Sequence, residues 1–172
     1  MPYPALFSLL TLYLGTGCTI GSMKRTIMLL LIAALPVLAQ QDFSGPWEFN
    51  PAKSQNIGMM AQMKLVSTVK QTKRELIITD VSTFNGREQT SETRFDLTGK
   101  PVPNKNPMEA TAETVTKWDG NKLVTTWTSA GSIAGTNSVR TETRSLSSDG
   151  RTMTVESSRG KGPAMVMVYD RK

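Results

Sequence analysis

The chain has no histidine, and its one cysteine is Cys18. Chemistry therefore falls to carboxylates, hydroxyls, thioethers and guanidinium groups. Two carboxylate pairs, Asp80 with Glu88 and Glu92 with Asp96, are of the type that hydrolyses glycosides when both face one cleft. Their spacing alone does not bring them together, and such pairs are common on β surfaces. Gly131-Ser132-Ile133-Ala134-Gly135 departs from the Gly-x-Ser-x-Gly elbow and has no strand-turn-helix setting, so it reads as a flexible hairpin tip. Met59, Met60 and Met63 carry thioethers that suit a soft ion such as Cu(I), or serve as adaptable apolar filling. Arg140, Glu142 and Arg144 share one face of any strand that contains them. Such a row is ordinarily exposed, with cross-strand partners; the alternative turns Arg144 inward. A Ser-His-Asp triad and a Cys/His zinc site are excluded by composition, and a thiol nucleophile or disulfide is excluded once Cys18 is removed. The expectation is a protein that is not an enzyme and has no metal and no cofactor.

Two apolar stretches occupy the first forty residues. The second has the anatomy of an export signal: Met23, the positive Lys24-Arg25, an apolar run from Ile27 to Leu38, and Val37-Leu38-Ala39 before a cleavage point. The run is too short for a bilayer anchor, which needs about 20 apolar residues. Residues 1–22 then read as an over-extended start, 23–39 as a signal peptide and 40–172 as the exported domain, periplasmic or extracellular. The competing reading is a lipoprotein signal ending Leu14-Gly15-Thr16-Gly17-Cys18, but no Lys or Arg opens that segment. Removing Lys24 and Arg25 leaves 18 basic residues against 14 acidic ones, a charge of about +4. These charges are interspersed along the chain rather than gathered in a patch, which points away from nucleic acid.

The elements that must position these groups are strands. A period of two dominates, Thr, Val and Ile are abundant, and turn chemistry recurs at Asn85-Gly86, Thr98-Gly99-Lys100, Asp119-Gly120-Asn121, Asp149-Gly150-Arg151 and Gly160-Lys161-Gly162-Pro163. The pattern predicts an all-β, antiparallel, up-and-down meander of about nine strands, near 45–50, 63–71, 74–80, 87–96, 111–118, 122–129, 139–146, 152–158 and 164–171. Closure into a barrel hides the edges, with a two-sheet sandwich as the alternative. Two connections exceed a hairpin. Within Pro51 to Gln62, the second half predicts one or two helical turns over an open end; Lys100 to Ala110, with Pro101, Pro103 and Pro107, predicts an irregular excursion. Inward positions rich in Thr and poor in large aliphatics are compatible with an interior holding solvent or ligand.

Both ends of the exported domain carry a resemblance. Phe43-Ser44-Gly45-Pro46-Trp47-Glu48 resembles the Phe-x-Gly-x-Trp opening of fatty-acid-binding proteins and lipocalins, the calycin group. Val168-Tyr169-Asp170-Arg171-Lys172 resembles the Val-Tyr-Glu-Lys ending of the former. The hairpins at Trp118-Asp119-Gly120-Asn121-Lys122-Leu123 and Asp149-Gly150-Arg151-Thr152-Met153 are similar to their late hairpins. The resemblance implies a calyx around one amphipathic ligand, a lid after the first strand, and Arg and Tyr on a carboxylate. Arg144 and Tyr169 match those positions. The second Arg, two residues before the Tyr, is Met167 here, so a neutral or merely apolar ligand becomes as acceptable as an acid. The ligand-binding candidates are thus Arg144, Tyr169, Met167, Trp127 and, from the lid, Met59 and Met60; Trp47, Trp118 and Trp127 also read as packing anchors.

The function expected is an exported, monomeric carrier of a small apolar or amphipathic molecule, with no membrane span in the mature chain. The alternative is a non-catalytic envelope protein acting through protein contacts.

Overall fold

The structure, a computed structural model, describes residues 40–105 and 111–172. The expected leader and the Cys18 alternative lie outside the described residues. Ten antiparallel strands follow one another in chain order: β1 (Gly45–Phe49), β2 (Lys64–Gln71), β3 (Glu75–Phe84), β4 (Arg87–Asp96), β5 (Val102–Lys105), β6 (Thr111–Asp119), β7 (Lys122–Ala130), β8 (Asn137–Leu146), β9 (Thr152–Ser158) and β10 (Met165–Arg171). Each strand from β2 to β4 and from β6 to β10 pairs with its predecessor, and β10 returns to β1, giving the order β4-β3-β2-β1-β10-β9-β8-β7-β6-β5. This is the up-and-down meander the alternation predicts, nearly closed into a barrel. The hairpin turns sit at the predicted places; Asn85 (φ 50°) and Gly86 (φ 74°) both adopt the left-handed backbone that a tight hairpin turn requires.

The expected nine strands are ten. The segment beginning at Lys100 is not wholly irregular, because Val102–Lys105 forms β5 against β6, with Pro103 opposite Glu113. A proline is tolerated there because β5 ends the sheet and needs no donor on its outer side. Between β4 and β5 no ladder forms. The Asn104 side chain bridges that seam as a peptide group would: its Oδ1 accepts from the Arg94 N–H (3.2 Å), and its Nδ2 donates to the Arg94 carbonyl (2.8 Å) and to Thr114 Oγ1 (2.7 Å).

The floor of the barrel is built from the opening motif. Phe43 and Trp47 are fully buried, the Trp47 indole N–H donates to the Phe43 carbonyl (2.8 Å), and Phe43 stacks on Trp118 with centroids 6.1 Å apart. Arg171 lies 4.2 Å above the Trp47 ring, and its Nη1 donates to the Ser44 carbonyl (2.7 Å), joining the end of the last strand to the start of the first. Gly45, at φ 118°, makes room for that guanidinium: a Cβ would stand 2.9 Å from Arg171 Nη1. Leu76, Phe95, Leu97, Leu123 and Met153 complete the apolar floor.

At the opposite end the β1–β2 connection carries two short 3-10 helices, η1 (Pro51–Lys53) and η2 (Gly58–Gln62), where helical turns are expected. Asn50 caps η1 through its side chain, and Ser54 Oγ donates to the Asn50 carbonyl while accepting from the Val168 N–H, tying the connection to β10.

Candidate functional site

Register places the row Arg140, Glu142 and Arg144 inside the barrel. Arg144 stands opposite Leu123 and Val155, Glu142 opposite Thr125 and Ser157, and Arg140 opposite Trp127, all inward positions. The expectation of an exposed charge row is therefore corrected. The other face of β8, Val139, Thr141, Thr143 and Ser145, is only weakly apolar, so alternation within the strand could not orient it. A local signal was present: Leu146 shares the parity of the charged row.

The row is densely bonded at its centre. Glu142, 5% exposed, accepts at Oε1 from Arg144 Nη2 (2.7 Å) and at Oε2 from the Trp127 indole N–H (2.6 Å), while Arg140 Nη2 stands 3.7 Å from Oε2. The two guanidinium groups lie over aromatic faces, Arg140 4.6 Å from the Trp127 centroid and Arg144 5.1 Å from that of Phe95. Phe95 and Trp127 meet edge to face at 5.8 Å. Arg144 is 7% exposed, and its Nη1 is buried with no hydrogen-bond partner.

Across the interior Asp80 accepts a short hydrogen bond from Ser67 Oγ. Burial pushes the Asp80 carboxyl above its usual range, opposed by the Ser67 bond and the Arg144 charge. Burial likewise pushes the Tyr169 phenol up, with the Asp80 charge adding to it. Tyr169 packs against Phe49 at 5.5 Å and turns its hydroxyl to Met167 Sδ (3.7 Å). Arg140 is pushed down, chiefly by burial.

Of the six sequence candidates, Arg144, Trp127, Met167 and Tyr169 are all buried on inward faces of β7, β8 and β10. The two lid methionines part company: Met60 packs on the core, whereas Met59 is 79% exposed. Asp80, Glu142 and Arg140 belong to the interior cluster but were not among the binding candidates. The carboxylate pairs do not converge. Asp80 faces inward opposite Ser91, while Glu88 sits on the outer face opposite Thr83. Glu92 reaches Arg94, and Asp96 accepts from the Thr98 N–H at the following turn. Gly131–Thr136 is the β7–β8 hairpin connection, closed by the Gly131 N–H to the Thr136 carbonyl.

Above the floor the cover over β4 thins out. On β4 the inward positions change from Phe95, buried, through Thr93, half-buried, to Ser91 and Gln89, both exposed although they face Asp80 and Ser82 on β3. The inner wall at this level is rich in hydroxyls: Ser67, Thr114, Thr125 and Ser157 are buried there. Beside η1 a cleft of about 330 Å³ lies on the rim at the ends of β1 to β4, lined by Phe49, Met63 and Leu65 together with Val66, Val81 and Glu88 of the outer face.

No protein-family model matches the chain, and no curated protein does so. Solved structures do. The barrel superposes on a REP1-NXSQ fatty acid transporter with a TM-score of 0.59 and 17% identity, over 75% of this chain and 95% of that one. Fatty-acid-binding protein 1 of Echinococcus granulosus gives 0.59 and 15%, over 75% and 96%, and human cRBP IV gives 0.58 and 16%, over 77% and 99%. These neighbours are named as binding or transport proteins, and in fold this chain resembles the calycin barrels to which they belong.

Proposed function

We propose that the protein is an exported, monomeric carrier that holds one small amphipathic molecule in the open half of its barrel. The observation that carries this reading is the inward face of β4, sealed at Phe95 and open at Ser91 and Gln89, which gives access to the barrel interior above a packed floor. The fold of the fatty acid transporter and the fatty-acid-binding protein named above agrees with it, as an analogy of architecture. Catalysis is not part of the proposal: Asp80 and Glu88 lie on opposite faces of the sheet, and Glu92 and Asp96 share the outer face of β4, bonded to Arg94 and Thr98. The alternative, action through protein contacts, draws on exposed Met59, Ile133 and Val139, which come from the β1–β2 connection, the β7–β8 connection and β8 and are not contiguous in sequence.

Export follows from the Lys24-Arg25 and apolar leader, and is tested by mass measurement of the N-terminus of the protein recovered from the producing cell. Binding is tested by titrating residues 40–172 with the neutral apolar dye N-phenyl-1-naphthylamine. The expected result is saturable one-to-one binding with a blue-shifted emission. Emission that never saturates, or does not change, overturns the carrier reading.

A further inference from the structure

We infer that export leaves Gln40 as the first residue and that this glutamine closes on itself to a pyroglutamyl ring, giving the protein a blocked, uncharged N-terminus. This rests on the export reading, and within it on cleavage after Ala39. Two glutamines stand side by side at that point, and the fold treats them differently. Gln41 is pinned at both ends of its side-chain amide: Oε1 accepts from the Leu146 N–H (2.8 Å), and Nε2 donates to the Leu146 carbonyl (3.4 Å). The Gln41 carbonyl accepts from Gln71 Nε2 (2.9 Å), and Gln71 Oε1 accepts from the Phe43 N–H (2.9 Å). These bonds tie the entering chain to β2 and β8 at the packed end of the barrel. Gln40 is exposed, and among the described residues no hydrogen bond engages its side chain.

Cyclisation needs a nucleophile, an electrophile and the freedom to bring them together. The nucleophile is the α-amine that cleavage creates, whose ordinary pKa of about 8 leaves a reactive unprotonated share at neutral pH. The electrophile is the amide carbon Cδ of the same side chain, tethered so that their union closes a five-membered ring with the advantage of an intramolecular encounter. In the step the amine nitrogen bonds to Cδ, the Cδ–Nε2 bond breaks, and ammonia leaves with a proton from the amine. No oxidant or co-reactant takes part. Gln40 has the freedom to reach this geometry, whereas Gln41 placed at the terminus would first have to leave Leu146. The ring removes the terminal charge and presents no free amine to an aminopeptidase. Trimming would otherwise proceed to Gln41 and undo its bonds to Leu146 and Gln71, so the ring protects the seal of the barrel floor.

The test takes the protein intact from the producing cell, labels its free amines by isotopic reductive methylation before any digestion, and reads the N-terminal peptide by mass spectrometry. The expected peptide starts at Gln40, carries no label at its N-terminus and is lighter than the encoded peptide by one ammonia. A peptide that starts at Gln40 with a labelled amine overturns the inference and leaves the export reading standing. A peptide that still carries the apolar leader overturns both, and one cut at another position after Met23 overturns the inference alone. A second measurement follows ammonia loss from purified chains that begin at Gln40 or at Gln41, held at neutral pH. The folded chain that begins at Gln41 should cyclise at least about tenfold more slowly, as two hydrogen bonds to be broken require, and guanidinium chloride should remove the difference. Equal rates in the two folded chains overturn the inference that the fold frees one glutamine and holds the other.

Discussion

Glu142→Gln is nearly isosteric yet should be among the most damaging single changes in the barrel. The carboxylate accepts from both Arg144 and Trp127 and lies within 3.7 Å of Arg140. The amide retains one acceptor oxygen and turns an N–H toward one of the two donors. It also leaves Arg140 and Arg144 without the one carboxylate in contact with them. Removing one member of a buried ion pair costs about 3–5 kcal/mol. Against the ~5–15 kcal/mol that holds an ordinary domain together, a loss of that size removes a large share of the stability. Arg144→Met should cost less, about 2 kcal/mol, because Glu142 keeps the Trp127 bond and Arg140 can close on it. The double variant should fall short of the sum by at least about 1 kcal/mol, since the two residues share one network. Urea unfolding at pH 7, followed by tryptophan fluorescence, measures all four proteins. A Glu142→Gln cost below about 1 kcal/mol, or strict additivity, would refute the picture of a buried, shared carboxylate.

Three further outcomes follow from the same geometry. Asp80→Asn should raise Tm at pH 7: a carboxyl whose folded pKa is raised loses stability as pH climbs through that value, so the gain should shrink as pH falls toward the unfolded value of 3.8. Melting curves across that range check both sign and trend. Trp47→Ala empties the floor and frees the Phe43 carbonyl and the Arg171 cation from the indole, so urea unfolding should show a loss of about 3–5 kcal/mol. Asn104→Ala removes the bridge across the β4–β5 seam; hydrogen exchange at the Arg94 amide should quicken sharply while global stability falls by only about 1–2 kcal/mol.

Much of the architecture was legible because its determinants are local. Alternation over 63–71 or 122–129 reports a strand with one buried face, and Asn85-Gly86 reports a tight hairpin, whatever surrounds them. Trp47 was readable as an anchor because a Trp beside a strand-start glycine has few other places to go. β5 was less legible, since four residues containing a proline become a strand only when β6 lies alongside and the outer edge is free. The Asn104 bridge left no sequence signal at all, because its partner Arg94 is set by how far the sheet curls.

The candidate site divides the same way. Residue types and parity, which the chain carries by itself, put Arg140, Glu142 and Arg144 on one face and Met167 with Tyr169 on another strand's single face. Which face looks inward was decided by the neighbouring strands, for Leu123 and Trp127 on β7 and Val155 on β9 admit only one register. A charged row moves into an interior when cross-strand neighbours and aromatic faces make that arrangement lower in free energy than exposing Leu123 and Val155. That balance is a sum over contacts far apart in sequence, and only the closed barrel contains it.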